Sequence, residues 1–493
     1  MHLREQTKKS GIRRALLACV IFGATAHAVA AASLVEGPDA REIPLPPVKT
    51  GIATLATVDA LPLQPGMPPV LTFANGSTVT TLAQWRERRQ EIRRMLEHYA
   101  VGNLPPAPDN VTGRVVRTET LLAGRVTYRL IRITFGPGEK LALHVGIFAP
   151  AGRGPFPAVI TPSGTPPGAS PLPRLPPGPG QGRGANPLLI VGPGEAPGNS
   201  PDLALASAGG DLSTPLTPGG PSAGASGIPA EAIAVQLQHV FDRGYAYVMF
   251  NHNDCGEDTT LRLPDGSWAY RTTRFPAAYP DHDWGLLGVW AWGISRLVDY
   301  LETDAVIDRE KLVLSGVSRT GKAALIAGAF DERIALTAPV VTGGGGVGAY
   351  RFSGVDRGGR EGLGDMMRKY PNWFSPHLRQ FWGHTDRLPF DQHWFIALMA
   401  PRPFLALEGL TDSVSLPNAV RQSLQHARPA YALLGAEERL GVNYGHHGHI
   451  FTPEDWHALL DFADQHLRGK SPRRFDHFPT EQEISSGAGK SSG

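Results

Sequence analysis

The chain has 493 residues, 41% hydrophobic and 19% charged, with a formal net charge of +2. That size and mix allow a large buried core, and the near-neutral charge excludes the basic footprint of a nucleic-acid-binding protein. Two cysteines are too few for a disulfide framework, and no segment beyond the N-terminus is apolar enough for a membrane span.

Residues 1–30 read as a signal peptide. Arg4, Lys8, Lys9, Arg13 and Arg14 form a positive n-region, "ALLACVIFGATA" is a short apolar stretch, and "AHAVAAA" places the cleavage site between Ala28 and Ala31. Cleavage would take the formal charge from +2 to −2 and leave Cys255 as the lone cysteine. The expected destination is the periplasm or the medium.

Residues 31–110 are expected to be an N-terminal extension. It carries a proline-rich entry and one helix, "TLAQWRERRQEIRRMLEHYAVG", with Leu82, Trp85, Ile92, Met95 and Leu96 on its apolar face. Residues 111–470 form the expected catalytic domain. It opens on alternating strands over 113–150 and a buried strand "FPAVITPSG". An insert at 164–228, crowded with Gly, Pro, Ala and Ser, offers too little apolar surface to offset ordering and is expected to be a long loop or disordered lid.

Strands and helices then alternate. "AIAVQLQHVFDRG" reads as a helix, "YAYVMFN" as a strand, "GLLGVWAWGISRLVDYLE" as a helix and "KLVLSG" as a strand. "SRTGKAALIAGAF" is a helix, "RIALTAPVV" and "RPFLALEG" are strands, and "TPEDWHALLDFADQHL" is a closing helix capped by Thr452. Residues 471–493 are expected to be a disordered tail. The rhythm implies an α/β fold, a mostly parallel sheet covered on both faces, with ligands bound beyond the carboxyl ends of its strands.

Three of those ends carry candidate chemistry. In "LVLSGVSRTGKAAL" Ser318 sits between a strand and a helix, flanked by Gly316 and Gly321. A serine becomes nucleophilic when a histidine takes its proton and a carboxylate orients that histidine, and hydrolases place such a serine on a tight strand-to-helix elbow. The usual second glycine, two residues after the serine, is Thr320 here. At the helix N-terminus, free N–H groups would favour a developing oxyanion. "GVNYGHHGHIFTPEDW" supplies His446, His447 and His449 just before the last helix, with His449 the chosen base and His447 the alternative. No second cluster of ligands completes a metal site around them. Asp412, on the loop after "FLALEG", is the candidate acid, in the order serine, acid, histidine. "NHNDCGED" lacks the spacing of a calcium loop and reads as pocket rim; His393, Trp394, Trp290 and Trp292 read as packing residues.

These residues, with "YPNWFS" and "LPFDQHWFIALMAPRPFLAL", resemble the glucuronoyl esterases, carbohydrate esterases whose nucleophile motif reads Gly-Cys-Ser-Arg-x-Gly-Lys; the chain has Gly-Val-Ser-Arg-Thr-Gly-Lys. The resemblance covers about residues 235–468. It implies an α/β-hydrolase fold, a three-layer sandwich, and hydrolysis of (4-O-methyl-)glucuronoyl esters, as in lignin–carbohydrate linkages of glucuronoxylan, without metal or cofactor. It makes Ser318 the nucleophile and His449 the base, assigns Arg319 to the oxyanion hole, and gives Lys322 a uronate hydroxyl.

The chain also departs from the family. Val341 stands where many members carry the triad glutamate, so the acid falls to Asp412. Val414 replaces a pocket tryptophan. Asp356, Glu361 and Asn372 are weak matches for the polar uronate contacts. These departures keep open an esterase acting on another acyl group, such as an acetylated polysaccharide, and a catalytically weak carbohydrate-binding relative.

Overall fold

The computed structural model describes residues 55–172, 174–175, 228–261, 263, 267–353, 361–412, 414, 416–480 and 482–484. The expected signal peptide and most of the 164–228 insert lie outside the described residues.

Strands β1 (Thr112–Leu121), β2 (Val126–Phe135) and β3 (Leu141–Pro150) form an antiparallel meander. Strand β4 (Phe156–Thr161) and β5 (Ala246–Phe250) follow in the chain, then β6 (Ile307–Val317), β7 (Leu336–Val340), β8 (Phe404–Gly409) and β9 (Leu440–Gly445). They join one sheet in the order β1-β2-β3-β5-β4-β6-β7-β8-β9. From β5 to β9 every pairing is parallel. This mostly parallel sheet, with helices on both faces, has the α/β-hydrolase fold.

The strands are apolar on both sides because both sides are covered. On β4, Ala158 and Ile160 pack into the larger core with the helices Leu82–Leu96, Leu286–Leu301 and Ser318–Phe330; Val159, between them, joins the opposite core with Trp456, Leu459 and Phe462 of the helix Pro453–Arg468. Fully burying each such side chain stabilises the fold by about 1.5–3 kcal/mol. The closing helix is capped as its sequence demands: the Thr452 side chain accepts from Asp455 N, and Asp455 accepts from Thr452 N at 3.0 Å.

Several expectations need correction. The helix Leu82–Leu96 buries Trp85, Arg88, Ile92, Met95 and Leu96, whereas Leu82 is 52% exposed. Arg88 takes a place on the inner face because its Nε donates to Val70 O at 3.1 Å and its guanidinium lies 4.5 Å over the Trp394 ring. The single helix expected at 232–244 is two short ones, Ala230–Gln236 and Gln238–Asp242, broken at Leu237. Helix Pro417–Leu433 and strand β9 were not foreseen; the helix contains Pro429, a residue that usually interrupts one.

The expected disordered tail is packed at its start. Phe475 is buried in the core and its carbonyl accepts from Val442 N at 2.7 Å. The first residues of the insert are tied down too: Tyr128 Oη donates to Pro167 O at 2.7 Å and Asn251 Nδ2 to Thr165 Oγ1 at 2.8 Å.

Candidate active site

Strand β6 turns directly into the helix Ser318–Phe330, and the turn is sharp enough to hold Ser318 at φ +53°. A left-handed conformation at a residue with a side chain costs on the order of 1–3 kcal/mol. Gly316 and Gly321 permit the close approach that enforces it. A Cβ at Gly316 would lie 2.6 Å from Thr320 O, and one at Gly321 would lie 2.6 Å from Gly316 O. The second glycine thus performs its task one residue later than usual. Thr320, in the customary glycine position, steadies the elbow instead: its Oγ1 accepts from Val317 N at 3.0 Å and donates to Val317 O at 2.9 Å.

The loops after β8 and β9 carry the carboxylate and the imidazole. Asp412 is fully buried; its Oδ1 accepts from Val414 N at 2.9 Å and its Oδ2 lies 2.8 Å from His449 Nδ1. A carboxylate can only accept, so Nδ1 carries the proton and Nε2 of the neutral ring is left as an acceptor. His449 Nε2 is buried with no hydrogen-bond partner among the described residues. The two loops are stitched together where Leu410 N donates to Gly445 O at 2.9 Å and Thr411 N to His447 O at 3.1 Å.

Ser318 and His449 line one small pocket, about 300 Å³ with its open mouth included, together with Arg319, Lys322, Glu361, Tyr370, Trp373 and Val414. The hydroxyl, imidazole and carboxylate named from the sequence therefore converge on one place. His447, the alternative base, does not border the pocket. Its Nε2 is 3.0 Å from Asp455 Oδ2, out of line for a hydrogen bond, and its Nδ1 meets Gly448 O at 2.9 Å. Burial works against its proton, but Asp455 and the Gly448 carbonyl outweigh it and raise the pKa.

Arg319 and Lys322, one turn apart on the elbow helix, are both buried rather than solvated. Arg319 Nη1 pairs with Asp258, and its guanidinium lies 5.3 Å over the Trp373 ring. Burial lowers its pKa, an effect that Asp258 partly offsets. Lys322 Nζ donates to Thr342 O and lies 3.2 Å from Glu361 Oε2. Tyr370 stacks on Trp373 with ring centroids 3.9 Å apart, and burial pushes its phenol up to about 12.

Of the two weak matches for polar uronate contacts that are described, Glu361 lines the pocket. Asn372 donates to Thr259 O at 3.2 Å as part of the wall behind it, and Asp356 lies outside the described residues. The signal for Glu361 was the glycine run that follows Val341. A Cβ at Gly343 would stand 2.8 Å from Glu361 Oε2, and one at Gly344 would stand 2.0 Å from Glu361 O. Asp258 and the Tyr370–Trp373 wall were not singled out as site residues. Their signals were the acidic loop after β5 and the aromatic spacing in "YPNWFS". Among the described residues no group of three or more His, Cys, Asp or Glu is arranged to hold a metal ion.

The fold is that of the α/β-hydrolases, and the similarities to known proteins make the chain a carboxylic ester hydrolase. The family model described as glucuronyl esterase of fungi matches residues 207–435. A carbohydrate esterase from an unknown prokaryotic organism is 26% identical over 426 residues, 82% of this chain and 90% of that protein. The 4-O-methyl-glucuronoyl methylesterase of Podospora anserina is 26% identical over 424 residues, 84% and 70% of the two chains.

Among solved structures, a glucuronoyl esterase from Caldicellulosiruptor kristjansonii shares 26% identity at a TM-score of 0.58, covering 85% of this chain and 96% of its own. The Sporotrichum thermophile glucuronoyl esterase, solved as a serine-to-alanine mutant with methyl 4-O-methyl-β-D-glucopyranuronate, shares 25% at 0.58, covering 89% and 99%. The chain is similar to glucuronoyl esterases over more than four fifths of its length.

Proposed function

We propose that this protein hydrolyses (4-O-methyl-)glucuronoyl esters of plant-wall carbohydrate through an acyl-enzyme, with Ser318 as nucleophile, His449 as base and Asp412 as acid. The observation that carries the reading is the His449–Asp412 hydrogen bond at 2.8 Å, with the far imidazole nitrogen left to a pocket that Ser318 also lines. Ser318 Oγ attacks the uronate carbonyl carbon while His449 Nε2 takes its proton. The tetrahedral intermediate expels the alcohol, which leaves with that proton. Water then repeats the cycle on the acyl-serine and releases the uronic acid.

Arg319 and the N–H groups at the start of the elbow helix face the oxyanion, an interaction worth about 3–4 kcal/mol per donor. Asp412 holds the histidine tautomer and balances the imidazolium. Lys322 donates to a sugar hydroxyl, and Glu361 beside it accepts from one. These two charges pair with each other, and Arg319 pairs with Asp258, which suits a pocket for a neutral ester. The neutral ester distinguishes this substrate from a free uronate.

Residues 1–30 are proposed to direct export and to be removed. No helix among the described residues is long and apolar enough to cross a membrane.

Hydrolysis of benzyl glucuronate and labelling by a fluorophosphonate test the reading. Ser318→Ala should abolish labelling and lower kcat by at least about 10⁴-fold; an unchanged rate in that variant would overturn the triad. Val414 on the pocket lining favours a second reading, an esterase of broader acyl range, because an aliphatic side chain stands where family members carry an indole. Faster turnover of acetylated sugars than of benzyl glucuronate would favour it.

A further inference from the structure

The loop that follows β5 places three acidic side chains, Asp254, Glu257 and Asp258, against three arginines. Asp254 faces Arg174 at 3.8 Å and Glu257 faces Arg274, at the start of the helix Arg274–Ala278, at 3.4 Å. Asp258 faces the pocket wall, and its carboxylate is shared among several donors. Oδ2 takes Nη1 of Arg319; Oδ1 accepts from Trp373 Nε1 at 2.9 Å and from Asn372 Nδ2 at 3.3 Å.

Its own backbone is fixed as well, since Asp258 N donates to Asn253 Oδ1 at 3.0 Å, and Asn253 N in turn donates to Asn251 Oδ1 at 3.0 Å. Asp258 and Arg319 side chains are each 7% exposed, so their attraction is little screened. One buried carboxylate thus ties together the guanidinium beside the nucleophile and the indole of the aromatic wall.

An arginine side chain has many rotamers, and an oxyanion donor that must be ordered during the reaction contributes less than one already in place. Arg319 meets this demand from two directions: Asp258 grips one Nη, and the Trp373 ring lies under the plane of the guanidinium. Its Nε is buried without a hydrogen-bond partner among the described residues, so a donor remains once the clamp is formed. The nearby His252 ring, edge-on to Trp290 at 4.5 Å, is kept neutral by burial and by the Arg319 charge, and does not compete for the carboxylate.

We propose that Asp258 is a positioning residue for the esterase reaction: it sets Arg319 and Trp373 as one rigid wall, so that the free Arg319 donor meets the ester oxygen as charge develops there. The proposal rests on the serine-esterase reading above and adds to it the residue that holds the oxyanion donor. Asp258 itself touches no reacting atom. Its effect should appear in kcat more than in KM, and should require Arg319.

The test is a double-mutant cycle on benzyl glucuronate with the full-length protein. Asp258→Asn, isosteric but uncharged, should lower kcat by on the order of 10- to 100-fold with KM changed by less than about threefold. In the Arg319→Ala background the same substitution should have almost no further effect on kcat. Asp258→Glu, which keeps the charge and moves it outward by one methylene, should retain the wild-type melting temperature within a few degrees and still lose kcat. Wild-type kcat in Asp258→Asn or Asp258→Glu overturns the proposal. So does a loss that persists undiminished without Arg319, because that is the mark of a purely structural residue. Failure of the esterase reading is seen separately, as an unchanged rate in Ser318→Ala.

Discussion

Three histidine–aspartate pairs among the described residues have nearly the same dimensions and different surroundings. His377 Nε2 lies 3.1 Å from Asp283 Oδ2, His447 Nε2 3.0 Å from Asp455 Oδ2, and His449 Nδ1 2.8 Å from Asp412 Oδ2. In the first, the other ring nitrogen meets the Gln380 amide at 3.4 Å, the ring stacks on His98, and Asp283 also accepts from Asn103 N at 2.7 Å. That pair joins segments distant in the chain. In the second, the other nitrogen is occupied by the Gly448 carbonyl, and the His447 backbone braces the Asp412 loop. In the third, the other nitrogen has no hydrogen-bond partner among the described residues, and His449 lines the pocket that holds Ser318. A carboxylate beside an imidazole is therefore not a catalytic sign by itself; what stands on the far side of the ring decides.

Matched substitutions test that distinction most severely. Asp412→Asn should lower kcat on benzyl glucuronate by about 10³- to 10⁴-fold, because the ring loses its tautomer and the balance for its positive charge. Asp283→Asn should leave kcat within about threefold and cost about 1–3 kcal/mol of stability, seen as a lower Tm. Equal losses of kcat in the two variants would erase the difference drawn here.

A pH series sharpens it on the structural side. Burial, the largest cause in each case, holds His98 and His239 at about 4 and His252 and His393 at about 3. An unfolded chain releases these rings to protonate near 6.5. Because the folded values are depressed, their contribution is intact above about pH 6.5 and is lost as pH falls toward the folded values. His447 acts in the opposite sense, its raised pKa favouring the folded state below its unfolded value, but it is one group against four. Tm should therefore fall as the pH is lowered from about 7 to about 4. A Tm that rises over this interval would contradict the neutral burial of these rings.

The smallest expected effect concerns the pocket wall. Val414→Trp should lower KM for benzyl glucuronate by about three- to tenfold by adding an aromatic face, leaving kcat nearly unchanged. An unchanged KM would mean that the Tyr370–Trp373 stack already supplies the surface the sugar needs.

Much of this arrangement was legible in the sequence because it is local. The elbow is written as glycines on either side of Ser318, the closing helix as a Thr452–Asp455 cap, and the buried strands as short apolar runs. Asp412 and His449 followed from their order along the chain. What sequence reasoning missed depends on side chains meeting across loops. Lys322 was named through resemblance, but its pairing with Glu361 could not be read from the chain. Asp258 lay within an acidic loop whose three carboxylates differ only in which arginine each one meets. Helix Pro417–Leu433 was hidden by its internal Pro429, and the packed start of the C-terminal tail by the buried anchor at Phe475.

With Val341 at its end, and with glycines where side chains would collide with Glu361, the tip of β7 becomes a recess. The proposed acid and base then ride on adjacent strands, β8 and β9, whose loops are laced together, while the proposed nucleophile follows β6. A side chain added at Gly343 or Gly344 would therefore meet Glu361 first, and through it Lys322.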